Sequence, residues 1–119
     1  MIDYLYYYTA HVVRVIDGDT AILNIDQGLG TWRMNEKVRF YGINAPEMKG
    51  ASKKEGQRSK KWVVDKIEGK TVVLKTHFDK EGKFGRLLGE IFLQEDDELV
   101  NLNAALVEEG LAVKYGKKK

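Results

Sequence analysis

The order in which β-type and helical segments follow one another constrains the fold more than any single residue does. Five segments are rich in β-branched and aromatic residues, a composition typical of short strands. Their predicted limits are Tyr7–Ile16, Thr20–Ile25, Val38–Ile43, Thr71–Phe78 and Arg86–Leu93. A helical pattern separates the third strand from the fourth. Five strands with a helix in that position have the chain order of an OB-type barrel, so we predict a mainly β fold of the α+β class with two helices.

The connections between these strands carry their own signals. Asp17-Gly18 lies between two apolar runs and predicts a tight hairpin, in which the glycine supplies a positive φ. The segment from Asp26 to Lys37 holds two glycines and several polar residues, and we predict an extended hairpin loop there. Pro46 ends the third strand.

Two helices are predicted from apolar spacing and from their ends. Ser52-x-x-Glu55 resembles a capping box and would begin the first helix, which Gly69 is placed to stop. The second helix is predicted over Leu99–Glu109, with Gly110 as its stop.

Length and composition exclude several classes of protein. A chain of 119 residues suits one domain over 1–119, with 1–6 and 116–119 as flexible ends. The absence of cysteine excludes disulfides, thiolate zinc sites and cysteine nucleophiles. No apolar run approaches the roughly 20 residues that span a bilayer. Because Met1-Ile2-Asp3-Tyr4 does not resemble a signal peptide, an intracellular location is expected, and secretion only if a leader has been removed.

The distribution of charge says more than the net charge of +2. Six basic residues lie between Lys49 and Lys61 against the single acid Glu55, and acids gather at 95–98 and 108–109. Such a basic stripe would steer a polyanion to one face of the molecule. A solvated helix face is the alternative explanation.

Three short segments at strand ends supply the groups that phosphodiester cleavage requires. They are Asp17-Gly18-Asp19, the stretch from Arg39 to Asn44-Ala45-Pro46-Glu47, and Lys83-Phe84-Gly85-Arg86. This chemistry needs oxygen ligands for a hard cation, positive groups on the phosphate and a carboxylate that handles water. Each segment alone also has an ordinary explanation, as a turn, a strand end or a surface arginine.

The three segments together resemble the staphylococcal nuclease family. The resemblance extends from about Thr9 to Ala112 and includes the stretch Val100–Val107 followed by Gly110-Leu111-Ala112. The family fold is an OB barrel with helices. The resemblance implies Ca²⁺-dependent hydrolysis of DNA and RNA, with Mg²⁺ as the alternative ion, on single-stranded or flexible substrate, leaving 3′-phosphates. Neither a membrane nor an obligate protein partner is expected from the sequence.

The resemblance also implies a role for each matching residue. The catalytic set is Arg39 and Arg86, which would clamp the phosphate, and Glu47, which would act as general base or orient water. The metal set is Asp19, Asp17, Asn44 and the backbone carbonyl of Ala45. The substrate-binding set is Lys83, Phe84, Tyr115 and Lys49.

Two residues depart from the family pattern. Asn44 is an amide where the family usually has a second metal-binding aspartate, so weaker metal binding is expected. Phe84 lacks the hydroxyl of the tyrosine that the family often has there. Two other functions therefore stay open: a catalytically weakened module that binds single-stranded nucleic acid, and a protein-interaction domain without salt or metal dependence.

Overall fold

The computed structural model describes residues 6–77 and 87–114. Within these ranges eight strands and two α-helices follow one another along the chain. They are β1 Tyr7–Asp17, β2 Thr20–Gly28, β3 Thr31–Phe40, β4 Ile43–Asn44, α1 Lys53–Ile67, β5 Thr71–His77, β6 Leu87–Glu95, β7 Glu98–Asn101, α2 Leu102–Glu108 and β8 Val113–Lys114. No helix among the described residues is long and apolar enough to cross a membrane.

Five of these strands close into a barrel. They lie in the order β3-β2-β1-β5-β6, and all four neighbouring pairs are antiparallel. A parallel pairing between β3 and β6, with Val38 opposite Leu87 and Phe40 opposite Gly89, joins the two ends of the sheet. The predicted OB-type barrel with two helices is therefore confirmed, and β7 extends the sheet beyond β6 while β4 pairs with β8.

The barrel interior is filled by the side chains that alternate inward along the strands. Ala10 and Val12 of β1, Leu23 of β2 and Phe40 of β3 are all buried there. The helices cover the barrel with further buried side chains, namely Val63 and Ile67 from α1 and Leu102 and Leu106 from α2. Because full burial of one such side chain stabilises the folded state by about 1.5–3 kcal/mol, this core holds the strand ends in fixed positions.

The loop predicted over 26–37 is instead regular hairpin. β2 continues to Gly28 and β3 begins at Thr31, with Asp26 opposite Trp32. The prediction was wrong because this end of β3 is exposed on both faces, so it lacks the apolar alternation that marks a half-buried strand. A bulge lies there, where Asn35 has a φ of 56° and its N–H donates to Asn24 Oδ1 over 2.7 Å.

The second helix begins three residues later than predicted. Glu98–Asn101 forms β7 against β6, and the Asn101 side chain caps α2 by accepting a hydrogen bond from the Ala104 N–H over 3.1 Å. The predicted glycine stops hold, since Gly69 and Gly110 both follow helix ends with positive φ. The proposed flexible ends were 1–6 and 116–119, and all of these residues except Tyr6 lie outside the described residues.

Candidate functional site

The predicted site residues that the structure describes all line one cleft of about 420 Å³. The cleft forms where the ends of β1, β3 and β4 meet the start of β2. Its lining includes Asp17, Asp19, Arg39, Asn44, Ala45, Glu47 and Lys49. The other predicted residues, Lys83, Phe84, Arg86 and Tyr115, lie outside the described residues.

The Asp17-Gly18-Asp19 turn is both a hairpin turn and a carrier of carboxylates. Asp17 Oδ1 accepts a hydrogen bond from the Asp19 N–H over 3.1 Å, which fixes the turn. Asp19 Oδ2 accepts from the Ala45 N–H over 2.8 Å, and Asp19 Oδ1 accepts from the Thr20 hydroxyl over 3.2 Å. The Asp19 carboxylate therefore joins the first hairpin to the loop after β4, because it accepts hydrogen bonds from residues on both sides of the cleft.

Gly18 has a different role from the one its sequence context indicates. Its φ is not positive, in contrast to the prediction. A Cβ at this position would lie 2.7 Å from Ala45 Cβ and 2.9 Å from Ser59 Cβ. Glycine is therefore required because the turn packs directly against the Ala45 loop and helix α1.

Arg39 spans the cleft from β3. Its Nη1 donates to the carbonyl oxygens of Ile43, over 2.9 Å, and Phe40, over 3.1 Å, while its Nη2 donates to Asn44 Oδ1. Nη1 also lies 3.4 Å from Asp19 Oδ2, and both side chains are largely buried, at 15% and 13% exposure. A positive charge held this firmly can bind an anion without first losing conformational entropy.

Glu47 is exposed at the rim of the same cleft, and its backbone is held by α1 and the turn before it. The Ser52 hydroxyl donates to the Glu47 carbonyl oxygen over 2.9 Å. The predicted capping box is wrong, because the Ser52 side chain makes no capping hydrogen bond to α1. A Cβ on Gly56 would lie 2.5 Å from the backbone carbonyl oxygen of Glu47, so the helix contacts this loop directly.

Ser52 and Gly56 are positioning residues that the sequence did not reveal. A third is Asn103 of α2, whose Nδ2 donates to the carbonyl oxygens of Tyr41, over 2.9 Å, and Gly89, over 3.1 Å. Its Oδ1 accepts from the Ile91 N–H over 3.2 Å. Asn103 is buried in the structure. In the sequence, the signal available for this role was an asparagine on the apolar face of the predicted helix. It holds the end of the strand that carries Arg39.

Two acids lie side by side at the inner edge of the cleft. Burial, and then the neighbouring Asp19 carboxylate, raise the pKa of Asp17 above its usual range. A cation bound here would relieve that unfavourable interaction.

The oxygen atoms that line the cleft are of the chemical types that bind a hard cation. Asp17 and Asp19 offer carboxylates, Asn44 an amide oxygen and Ala45 a carbonyl, all of them oxygen ligands of the kind that Ca²⁺ and Mg²⁺ prefer. Among the described residues no group of three His, Cys, Asp or Glu side chains stands close enough to hold a metal. The set therefore carries two negative charges and depends on neutral oxygens for the rest.

Comparison with known proteins adds to this geometry. The sequence model described as Staphylococcal nuclease homologue matches residues 37–119. The chain is 32% identical over 114 residues to a micrococcal nuclease of Shigella flexneri, covering 91% of this chain and 59% of that protein. It is 31% identical over 104 residues to a thermonuclease of Staphylococcus intermedius, covering 85% and 56%.

A further relative is an uncharacterised protein of Methanocaldococcus jannaschii, 27% identical over 130 residues, with 92% of this chain and 60% of that protein covered. The chain thus spans somewhat more than half the length of the curated relatives that it matches.

Proposed function

Because this chain belongs to the staphylococcal nuclease family, we propose that it is a metal-dependent endonuclease that hydrolyses DNA and RNA. The observation that carries the proposal is the single cleft in which Asp19, Arg39 and Glu47 converge. We propose single-stranded or flexible polynucleotide as the preferred substrate, since the backbone phosphate must be accessible to the side chains of the cleft. We propose 3′-phosphates as the products.

The reaction we propose is attack of water on phosphorus, with cleavage of the P–O5′ bond. Glu47, exposed at the rim, accepts the proton of the attacking water, and the departing 5′ oxygen is protonated from solvent. The rigidly held guanidinium of Arg39 binds the phosphate oxygens as negative charge develops on them. Arg86 is proposed as the second positive group.

For the cofactor we propose Ca²⁺, with Mg²⁺ as the alternative. Asp19, Asp17, Asn44 and the Ala45 carbonyl would hold the ion, which when bound polarises a phosphate oxygen. Lys49, at the cleft rim, and Lys83, Phe84 and Tyr115 are proposed to contact substrate.

The test is cleavage of single-stranded DNA with Ca²⁺, with Mg²⁺ and with chelator. Glu47→Gln keeps the shape of the side chain and removes the base, so we expect the rate to fall by roughly 10²–10⁴. Glu108→Gln makes the same change at an exposed position of α2 and should leave the rate unchanged. Equal rates in Glu47→Gln and wild type would refute the assigned role of Glu47.

A second function is favoured by one observation at Asn44. Its amide carries no charge, and its Oδ1 accepts a hydrogen bond from Arg39. If that leaves too little negative charge for the ion, the chain is a module that binds single-stranded nucleic acid. A folded protein that binds the oligonucleotide but does not cleave it in the presence of any of the metals would establish this alternative.

A further inference from the structure

The outer face of the barrel next to the cleft carries aromatic and cationic side chains that the proposed reaction does not use. β3, β6, β5 and β1 lie side by side, with Arg39 opposite Leu88, Leu88 opposite His77, and Lys75 opposite Tyr7. Directly paired residues point to the same face of a sheet. Their chain neighbours, such as Phe40 and Leu74, are buried inside the barrel, so this row points outward.

The rings on this face contact one another. The rings of Tyr41 and His77 stack with centroids 3.7 Å apart and an interplanar angle of 1°. Tyr7 and Phe92 lie with centroids 5.9 Å apart, and Lys75 Nζ lies 5.4 Å from the Tyr7 centroid. We name this surface the outer strip; its members are Tyr41, His77, Lys75, Tyr7 and Phe92.

The part of the outer strip nearest the cleft is held in place by Glu90, which lies on the same face opposite Lys75. His77 Nε2 lies 2.9 Å from Glu90 Oε1, and Glu90 Oε2 accepts from Asn101 Nδ2 over 3.0 Å. Burial acts to raise the pKa of Glu90, but the hydrogen bonds from His77 and Asn101 outweigh it and lower the pKa overall. The charge of Lys75 acts on Glu90 in the same direction. The contacts with Glu90 hold the His77 ring in place before any ligand arrives.

The outer strip is continuous with the cleft. Tyr41 directly follows β3, its N–H donates to the Gly89 carbonyl oxygen over 2.7 Å, and its ring stacks on His77, so it lies where the outer face meets the end of the strand that carries Arg39. Tyr41 keeps 42% of its surface exposed. With strands about 4.8 Å apart, the path from β3 across β6 and β5 to β1 is roughly 14 Å long, the scale of a few nucleotides.

We propose that the outer strip binds the single-stranded part of a polynucleotide next to the phosphate held in the cleft. Bases stack on the Tyr41–His77 pair and on the Tyr7–Phe92 pair, and Lys75 contacts a backbone phosphate between them. Unpaired bases are required, because a base inside a duplex is stacked on its neighbours through both faces and leaves none open to an aromatic ring. This inference rests on the proposed function, since it extends the substrate site beyond the cleft.

The test compares the binding of a long oligothymidylate with that of a dinucleotide, in a Glu47→Gln background in which cleavage is slowed. Lys75→Gln should weaken binding of the long strand and reduce the slope of log K against log salt by about 0.7, the contribution of one single-strand phosphate contact. Tyr7→Leu should weaken binding of the long strand by about tenfold, the contribution of one stacked base. Dinucleotide binding should not change in either variant.

Two controls accompany these variants. Lys70→Gln removes the same charge immediately before β5, at the end of that strand far from His77, and should not alter the slope. Lys75→Arg keeps the charge and should keep the slope of log K against log salt at the value of the parent. Circular dichroism establishes that each variant is folded.

The outcomes separate this inference from the proposed function. If wild type cleaves DNA but Lys75→Gln and Tyr7→Leu bind the long strand as tightly as the parent, the outer strip is overturned and the nuclease stands. If wild type cleaves nothing but its binding of the long strand depends on Lys75 and Tyr7, the outer strip stands and the nuclease falls.

Discussion

Arg39 is the residue on which the geometry of the cleft depends most. Its guanidinium reaches Asp19 on one side and Asn44 on the other, with two backbone carbonyls between them. Arg39, Asn44 and Glu47 belong to one short stretch of chain, and the family resemblance predicted that they share a site. The strand predicted over Val38–Ile43 is divided in the structure, because β3 ends at Phe40 and a turn at Tyr41-Gly42 leads into β4. The contacts of Ser52 and Gly56 with Glu47 could not be predicted, because they depend on how closely α1 packs against the loop.

Asn44→Asp should tighten Ca²⁺ binding by about tenfold, because the affinity of oxygen sites for Ca²⁺ rises with the number of charged ligands. An aspartate can still accept the hydrogen bond that Asn44 takes from Arg39. The measurement is calorimetric titration of the folded protein with Ca²⁺. Gln57→Glu adds the same charge on an exposed turn of α1 and should leave the affinity as it is. Unchanged or weaker binding by Asn44→Asp would exclude residue 44 as a ligand.

At the scale of elements, the cleft is built by a helix that supports a loop. The N-terminal turns of α1 reach the loop after β4 through the Ser52 hydroxyl and through the bare backbone of Gly56. The loop is held from the opposite side by Asp19 of the first hairpin. Glu47 therefore keeps its place although its side chain is exposed.

Gly56→Ala tests this support. In an exposed helix, alanine in place of glycine would stabilise by up to about 1 kcal/mol. Here the added methyl group would lie 2.5 Å from the backbone carbonyl oxygen of Glu47, and overpacking of this kind costs about 1–3 kcal/mol. We expect a net loss in the free energy of unfolding and a lower cleavage rate, measured by urea denaturation and single-strand cleavage.

Gln57→Ala is the matched change one residue later, on the exposed face of α1. It should preserve both stability and rate. A Gly56→Ala protein that is more stable than wild type and fully active would show that the close approach of α1 does not position the loop.

The elements that sequence predicted best are those with local signals. The first hairpin has its Asp17-Gly18 turn, and both helices have a glycine at their end. The long β2–β3 hairpin was missed because its exposed residues have no apolar alternation, and its register depends on pairing with a neighbouring strand. β7 was taken for the start of α2 because four residues give too short a pattern to separate strand from helix.

For the whole molecule, the decisive pairing is the parallel contact of β3 with β6. It joins residues 38–40 to residues 87–89, and no short connection specifies it. Only the family resemblance and the order of strands and helix pointed to it. The same pairing covers the edges of β3 and β6 over these residues, which protects this part of the barrel from pairing with other chains.

A closed barrel should unfold as one unit. Trp62 of α1 packs against the core, so its fluorescence reports on the helix, while far-UV circular dichroism reports on the strands. We expect the two urea transitions to coincide, because α1 and the barrel share one core. Trp32, exposed in the β2–β3 hairpin, is removed with Trp32→Phe so that Trp62 is the one tryptophan that remains. A fluorescence transition at lower urea would show that α1 detaches first.

The β3–β6 pairing also sets when the cleft can form during synthesis of the chain. The ribosome releases Asp19, Arg39 and Glu47 early, but the strand that closes the barrel beside Arg39 begins only at Leu87. Asn103, which fixes the end of β3, emerges later still. A nascent chain therefore carries these cleft residues well before it can hold them in place, and the messenger RNA being translated is close by throughout that interval.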